Sequence, residues 1–263
     1  MPEFLGTENS IAIQKRLQNR QSSIARSPDL ANGGRVLHFL EPEKTGWNRV
    51  AELALEDGLA GFPVVPLDET VAQIERYLGS HWKTPVWHAL LGSDDQVLSG
   101  CDHVVRSVGV PDSWKVEMDD CPTDHQIAGV QALNHQTGVS PYPAYYMRSE
   151  AVPVLTAGLR DAAGALVATA SVAYRYHPDS RLAGHVFAGM VSVSEDHRGR
   201  GIGKLINALV LIESHRRFAW KVATEQVAPD NATSRAMIVA CGMDHSARLT
   251  SIAATNSGER FSR

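Results

Sequence analysis

Val191-Ser-Val-Ser-Glu-Asp-His-Arg-Gly-Arg-Gly-Ile-Gly-Lys204 runs from a strand through a glycine-rich turn into the first turn of a helix. Val186, Phe187, Met190, Val191 and Val193 suit a largely buried strand. Ile202, Leu205, Ile206, Leu209 and Val210 then fall at i, i+3, i+4, i+7 and i+8, the spacing of one apolar helix face. Between them, Arg198, Gly201 and Gly203 form R-x-x-G-x-G, with a further glycine at Gly199. Glycines let backbone N–H groups close on one anion. A helix N-terminus adds unpaired N–H groups and about half a positive charge. The segment is therefore suited to a phosphate or pyrophosphate.

Two other phosphate loops fit poorly. Gly199 to Lys204 lacks the spacing of G-x-x-x-x-G-K-S/T, and Gly199-Arg-Gly-Ile-Gly203 is G-x-G-x-G rather than the dinucleotide fingerprint G-x-G-x-x-G. A dinucleotide loop also sits at the first strand of its domain, with an acid about 20 residues on to bind ribose. Here the loop comes late, and the nearest candidate acid is Glu225.

A strand is expected from Phe218 to Val227, followed by Ala228-Pro-Asp-Asn-Ala-Thr-Ser-Arg-Ala-Met-Ile-Val-Ala-Cys-Gly-Met243. Pro229-Asp-Asn231 supplies a turn and an N-cap, and Gly242 a helix stop. The ordered pair R-x-x-G-x-G and P-D-N-x-x-S…G-M resembles the acetyl-CoA-binding motifs of the GNAT superfamily, the GCN5-related N-acetyltransferases. The resemblance covers residues 112 to 263, about one such domain. It implies an α/β fold with a mixed sheet, and acyl transfer from CoA directly to an amine.

It also implies roles. The backbone of Val191, Ser192 and Val193 would align the pantetheine arm and polarise the thioester carbonyl. N–H groups from Arg198 through Gly199, Arg200, Gly201, Ile202, Gly203 and Lys204 would bind the pyrophosphate. Asn231 and Ser234 lie where the family contacts CoA, and the strands near Val193 and Val227 would splay to admit it. Many relatives carry a tyrosine seven residues after the motif asparagine, where this chain has Ile238. Many also place a glutamate on the strand before the loop, which here has no carboxylate between His185 and Val193. Glu225 is then the best candidate base, with a pKa raised by burial; His185 is a weaker one. In Ser140-Pro-Tyr-Pro-Ala-Tyr-Tyr-Met-Arg148, the residues Tyr142, Tyr145 and Tyr146 are candidates either to line an acceptor site or to pack the loop on the core. Arg148 is a candidate to meet an acceptor carboxylate.

The 263 residues exceed one such domain, with 43% hydrophobic and 21% charged residues, as in ordinary globular proteins. A net charge of −4, from 25 basic and 29 acidic residues, argues against nucleic acid as a partner. The three cysteines have no paired spacing and the histidines no metal-ligand spacing, which suggests reduced thiols, a cytoplasmic setting and no metal. No apolar run is long enough to cross a membrane.

Residues 1–33 read as a polar helix and an arm, a candidate for contacts in a homodimer. Residues 34–110 echo the region after 111: Pro85, Val86, Ala89, Leu91 and Leu98 match Pro153, Val154, Ala157, Leu159 and Leu166 at one offset. On that alignment Pro85–Gly100 and Pro153–Ala168 are both hairpins, the first leading into a strand at Asp102–Arg106. Such a half-repeat resembles tandem GNAT proteins whose first copy has lost CoA binding. The expectation is a degenerate partial domain at 34–110 and a GNAT domain at 111–263. The expected activity is acetyl-CoA-dependent N-acetylation of a small amine: an amino acid, an analogue, or an amine-bearing antibiotic or toxin. The alternatives are a protein or peptide acetyltransferase and a non-catalytic acyl-CoA sensor.

Overall fold

The structure, a computed structural model, describes residues 2–256. Its N-terminal elements are α1 (Glu8–Asn19), α2 (Gln21–Ile24), β1 (Leu30–Asn32), β2 (Leu37–Phe39), α3 (Pro42–Thr45), α4 (Trp47–Asp57), β3 (Leu59–Val65), α5 (Leu67–Leu78), β4 (Val86–Ser93) and α6 (Asp94–Val108). The remainder are β5 (Lys115–Asp119), α7 (Asp124–Gln136), α8 (Ala144–Met147), β6 (Val154–Arg160), β7 (Leu166–Ala173), β8 (His185–Val193), α9 (Ile202–Phe218), β9 (Val222–Val227), α10 (Ala232–Ala240) and β10 (Asp244–Thr255). Local chemistry sets several boundaries. Ser93 with Gln96 and Thr123 with Gln126 form capping boxes that start α6 and α7. Asn231 caps α10, and Gly58 ends α4 in the left-handed conformation that glycine tolerates.

One mixed sheet holds all ten strands, in the order β1-β2-β3-β10-β4-β9-β8-β7-β6-β5. The pairs β2–β3 and β8–β9 are parallel, each joined by a helix, α4 or α9. The strand β10 runs antiparallel between β3 and β4, inside the N-terminal half. Apolar side chains form one large cluster around α6, α9 and strands β6 to β9, and another around α1, α4, α5, β3 and β10. No helix among the described residues is long and apolar enough to cross a membrane.

The half-repeat has a different register from the one the sequence suggested. Around the β10–β4 pair, β2-α4-β3-α5-β4 and β8-α9-β9-α10-β10 share one element order. Each ends by sending its last strand across: β4 pairs with β9, and β10 pairs with β3. In element order the N-terminal half thus matches the end of the second half rather than its beginning. The expected hairpin at Pro85–Gly100 is strand β4 followed by helix α6, which also contains the expected strand Asp102–Arg106. The reason is local. Gly-Ser-Asp-Asp at 92–95 has the look of a hairpin turn, but Ser93 and Gln96 close a helix N-terminus instead. The equivalent stretch Pro153–Ala168 does form a hairpin, β6–β7. The arm at 2–33 packs on its own chain: Ile13, Leu17 and Ile24 are buried in the N-terminal cluster, and Arg16 Nε meets Asp57 Oδ1 at 2.6 Å.

Candidate active site

Strands β8 and β9 pair only at His185↔Val222, Val186↔Ala223 and Phe187↔Thr224. Beyond Phe187 both continue, to Val193 and Val227, without pairing to each other. Each keeps its other neighbour: β9 stays paired to β4 through Val227, and β8 to β7 through Val193. The sheet therefore opens in a V whose inner edges carry unpaired backbone groups. Such edges suit an extended ligand arm, which gains main-chain hydrogen bonds as an added strand does. A bulge sharpens the opening. Met190 and Val191 together face Ala170, and Met190 takes a φ of 56°.

The glycine loop stands at the end of β8. Gly199 and Gly201 have φ of 75° and 80°, the left-handed region where a side chain is strained. The first bond of α9 runs from Leu205 N–H to the Gly201 carbonyl, so the N–H groups ahead of it have no intrahelical acceptor. Arg198, Arg200 and Lys204 are exposed beside them. This donor set fits a pyrophosphate, and the V-shaped opening next to it fits the pantetheine arm.

A cavity of about 230 Å³ occupies the opening. Its walls there are Gly189, Met190 and Val191 of β8, Glu225, Gln226 and Val227 of β9, and Asn231, Ser234, Met237 and Ile238 at α10. Asn231 Oδ1 accepts the Ser234 N–H at 3.0 Å, so both candidate CoA contacts are held at the rim. Ile238, where relatives carry tyrosine, is buried and offers no proton.

Glu225 is 2% exposed. Its Oε1 accepts a hydrogen bond from Asn207 Nδ2 at 2.7 Å. Burial pushes the carboxyl up to about 7, with the Asn207 bond opposing part of the rise. Glu225 lines the cavity, and a carboxyl poised near neutrality there is a candidate to exchange a proton with an amine.

The other end of the cavity is built mainly by residues that sequence reasoning did not select. Arg35, on the β1–β2 turn, His38 of β2, Gly61 of β3 and Trp87 of β4 come from the N-terminal half. Arg175, just past β7, and Phe187 of β8 face them. The Arg175 guanidinium carbon lies 4.1 Å from the Phe187 ring centroid and one nitrogen lies 3.3 Å from Tyr176 Oη, while its Nε is buried with no hydrogen-bond partner. His38 packs so closely over Gly61 that a Cβ there would fall 2.3 Å from its ring. Burial, with the charges of Arg175 and Arg35, holds His38 well below the usual histidine range and so neutral. The segment after Arg175 is fixed by Arg181, whose guanidinium donates to the Leu40, Pro63 and Val64 carbonyls.

Several expected residues stand elsewhere. Of the three tyrosines only Tyr142 lines the cavity. Tyr145 and Tyr146 are core residues; Asn32 Nδ2 donates to Tyr145 at 3.5 Å, and Tyr146 donates to the Asn32 carbonyl at 3.0 Å. Burial pushes the hydroxyl of Tyr145 up to about 12 and that of Tyr146 well above its usual value. Arg148 is not at the cavity; it is held by Glu3, Asp124 and Glu150 at 3.0–3.3 Å. His185 sits at the paired end of β8, 3.5 Å from Thr224 Oγ1 and off the cavity wall, with its pKa lowered by burial and by Arg181. Ser192 accepts from Thr137 Oγ1 at 2.7 Å, which leaves its backbone rather than its hydroxyl as a ligand contact.

No protein-family model and no curated protein matches the sequence. Solved structures do. One is a tandem GNAT protein from the clavulanic acid biosynthesis pathway, 18% identical, covering 87% of this chain and 78% of that one, with a TM-score of 0.55. Another is a GCN5-related N-acetyltransferase from Kribbella flavida, 13% identical over 94% of this chain and 96% of that one, TM-score 0.54. A third is a GCN5-related N-acetyltransferase-like protein from Streptococcus suis, 14% identical over 93% and 99%, TM-score 0.53. The chain has the GNAT fold that these structures share.

Proposed function

We propose that this protein is an acetyl-CoA-dependent N-acetyltransferase acting on a small amine by direct attack in a ternary complex. The observation that carries the reading is the unpaired V between β8 and β9, which opens beside the glycine loop onto a cavity with Glu225 on its wall. Residues 199–204 would hold the pyrophosphate through N–H groups, and the inner edge of β8 would hold the pantetheine arm. Bound acetyl-CoA supplies a thioester whose carbonyl carbon accepts the amine nitrogen as the C–S bond breaks. Glu225 takes the proton that the acceptor ammonium must lose, directly or through water. The Val191 N–H is the nearest candidate to polarise the carbonyl. Ile238 cannot protonate the leaving thiolate, so solvent must do so.

The test is a thermal-shift titration with acetyl-CoA, longer acyl-CoAs and free CoA, followed by a thiol-release screen over amines. At a hundredfold excess over its dissociation constant a ligand stabilises by about 2.7 kcal/mol. A shift with acetyl-CoA plus thiol release with an amine supports the enzyme. The absence of any shift rejects it. A shift without release for any amine favours a CoA sensor, the reading that Ile238 at the usual tyrosine position keeps open.

A further inference from the structure

Buried cations ordinarily have an acid beside them, because a lone charge is expensive to desolvate. Arg175 departs from that pattern. It is 6% exposed, makes no ion pair among the described residues, and keeps an Nε with no hydrogen-bond partner. Its immediate surroundings are aromatic: the Phe187 ring at 4.1 Å and the Tyr176 ring at 5.3 Å. Arg35 lines the same cavity, with its guanidinium 5.7 Å from the Tyr142 ring, and the two like charges are close enough to repel. His38, on the same cavity, has its Nδ1 buried without a hydrogen-bond partner. The cavity's one acid among the described residues is Glu225, and neither arginine figures among the groups acting on it. An anion entering beside Arg175 would offset its buried charge and satisfy the open donor.

We propose that the acceptor amine carries an anionic group, a carboxylate above all, which Arg175 and Arg35 receive at the end of the cavity lined by His38, Gly61 and Trp87. The amine then points toward the β8–β9 opening and Glu225. This rests on the acetyltransferase reading for the amine, but the anion site itself can be tested without turnover. A guanidinium presents a planar fork of N–H donors that matches a carboxylate or a phosphate bidentately. Lysine would not replace it, since an ammonium is a point charge without that fork.

Binding is measured calorimetrically, with and without saturating CoA, for matched pairs: alanine and ethylamine, phenylalanine and phenethylamine, lysine and 1,5-diaminopentane. The compound 2-aminoethylphosphonate separates carboxylate from phosphonate recognition. The same compounds are screened by thiol release from acetyl-CoA. For at least one pair, the carboxylate-bearing member should bind or react better by about tenfold or more, as for a charge-assisted hydrogen bond. In Arg175→Gln the preference should vanish, through KM rather than kcat, while the CoA thermal shift persists. Arg175→Lys should restore it only in part. If Arg175→Gln does not fold, Arg35→Gln carries the same expectation. The proposal is overturned if no acid binds, if both members of every pair behave alike, or if the preference survives in Arg175→Gln. Loss of the CoA shift in the unmodified protein would instead reject the acetyltransferase reading, and the calorimetry without CoA would still decide the anion site.

Discussion

Replacing Glu225 with glutamine should slow the reaction and stabilise the protein at alkaline pH, both from one cause. In the unfolded chain this carboxyl titrates near 4.5, and in the fold burial lifts it to about 7. Between those values the folded state binds more protons than the unfolded state, so stability falls as pH rises. The loss is absent below the lower value and complete above the higher one, where it amounts to about 3 kcal/mol. Glutamine keeps an oxygen to accept the 2.7 Å bond from Asn207 but cannot ionise. Glu225→Gln should therefore match the parent's melting temperature near pH 4.5 and exceed it at pH 8.5 by about 6–12 °C, at about 2–4 °C per kcal/mol for a chain of this size. In kinetics, the parent's thiol-release rate should rise with pH through about 7, as the base loses its proton. The variant should be slower by about 10²–10⁴, the usual contribution of a positioned base. Melting curves from pH 4.5 to 9 and a pH–rate profile check both. Melting curves that coincide at every pH, or an unchanged rate, would refute the assignment.

Gly201→Val places a β-branched residue at φ 80°, with its Cβ 3.2 Å from Val108 Cγ2. It should cost about 1–2 kcal/mol in backbone strain and abolish the CoA thermal shift; a full shift would mean the loop holds nothing. Gly61→Ala drives a methyl to 2.3 Å from the His38 ring. It should lower stability by about 1–3 kcal/mol and raise the acceptor KM, with the CoA shift intact. Arg148→Ala removes three partly exposed ion pairs and should cost no more than about 1 kcal/mol per pair, with the acceptor KM unchanged. A selective rise in KM would return Arg148 to the acceptor site. Calorimetry should find one CoA per chain, because the turn of the N-terminal half that matches the glycine loop, Leu40–Gly46, carries Glu41 and Glu43 around the short helix α3; two equivalent sites would contradict this.

Local signals were legible in the sequence. The glycine loop, the start of α9 and the Asn231 cap each follow from a few neighbouring residues, and each is where the sequence places it. What lay beyond reach depends on pairing across the whole sheet. Nothing local to Asp244–Thr255 says that it runs between β3 and β4, and without that exchange the half-repeat is read in the wrong register. The acceptor end fails for the same reason. Arg35, His38 and Arg175 are separated by up to 140 residues and meet only after β10 has joined the halves. Arg148 and Arg175 each follow closely on tyrosines, so composition cannot tell them apart. Burial does, since the first finds three carboxylates near the surface and the second finds aromatic rings. The sequence did carry a weak sign at Gly33-Gly34-Arg35, where a tight turn presents a cation.

The exchange of last strands also explains how the cleft can stay open. A strand that diverges from its neighbour leaves backbone groups unpaired on that edge, and stability then depends on its other edge. For β9 that other edge is β4, paired from His88↔Val227 to Ser93↔Val222, across the whole divergent segment. The strand that braces this opening thus belongs to the N-terminal half. The same strand carries Trp87 to the acceptor end, and the neighbouring β3 and β2 carry Gly61 and His38. In return β10, which follows the glycine-loop half, fills the gap between β3 and β4. The N-terminal half is therefore not a wall added to a finished domain. Its strands supply both the brace for the opening between β8 and β9 and the positively charged end of the cavity.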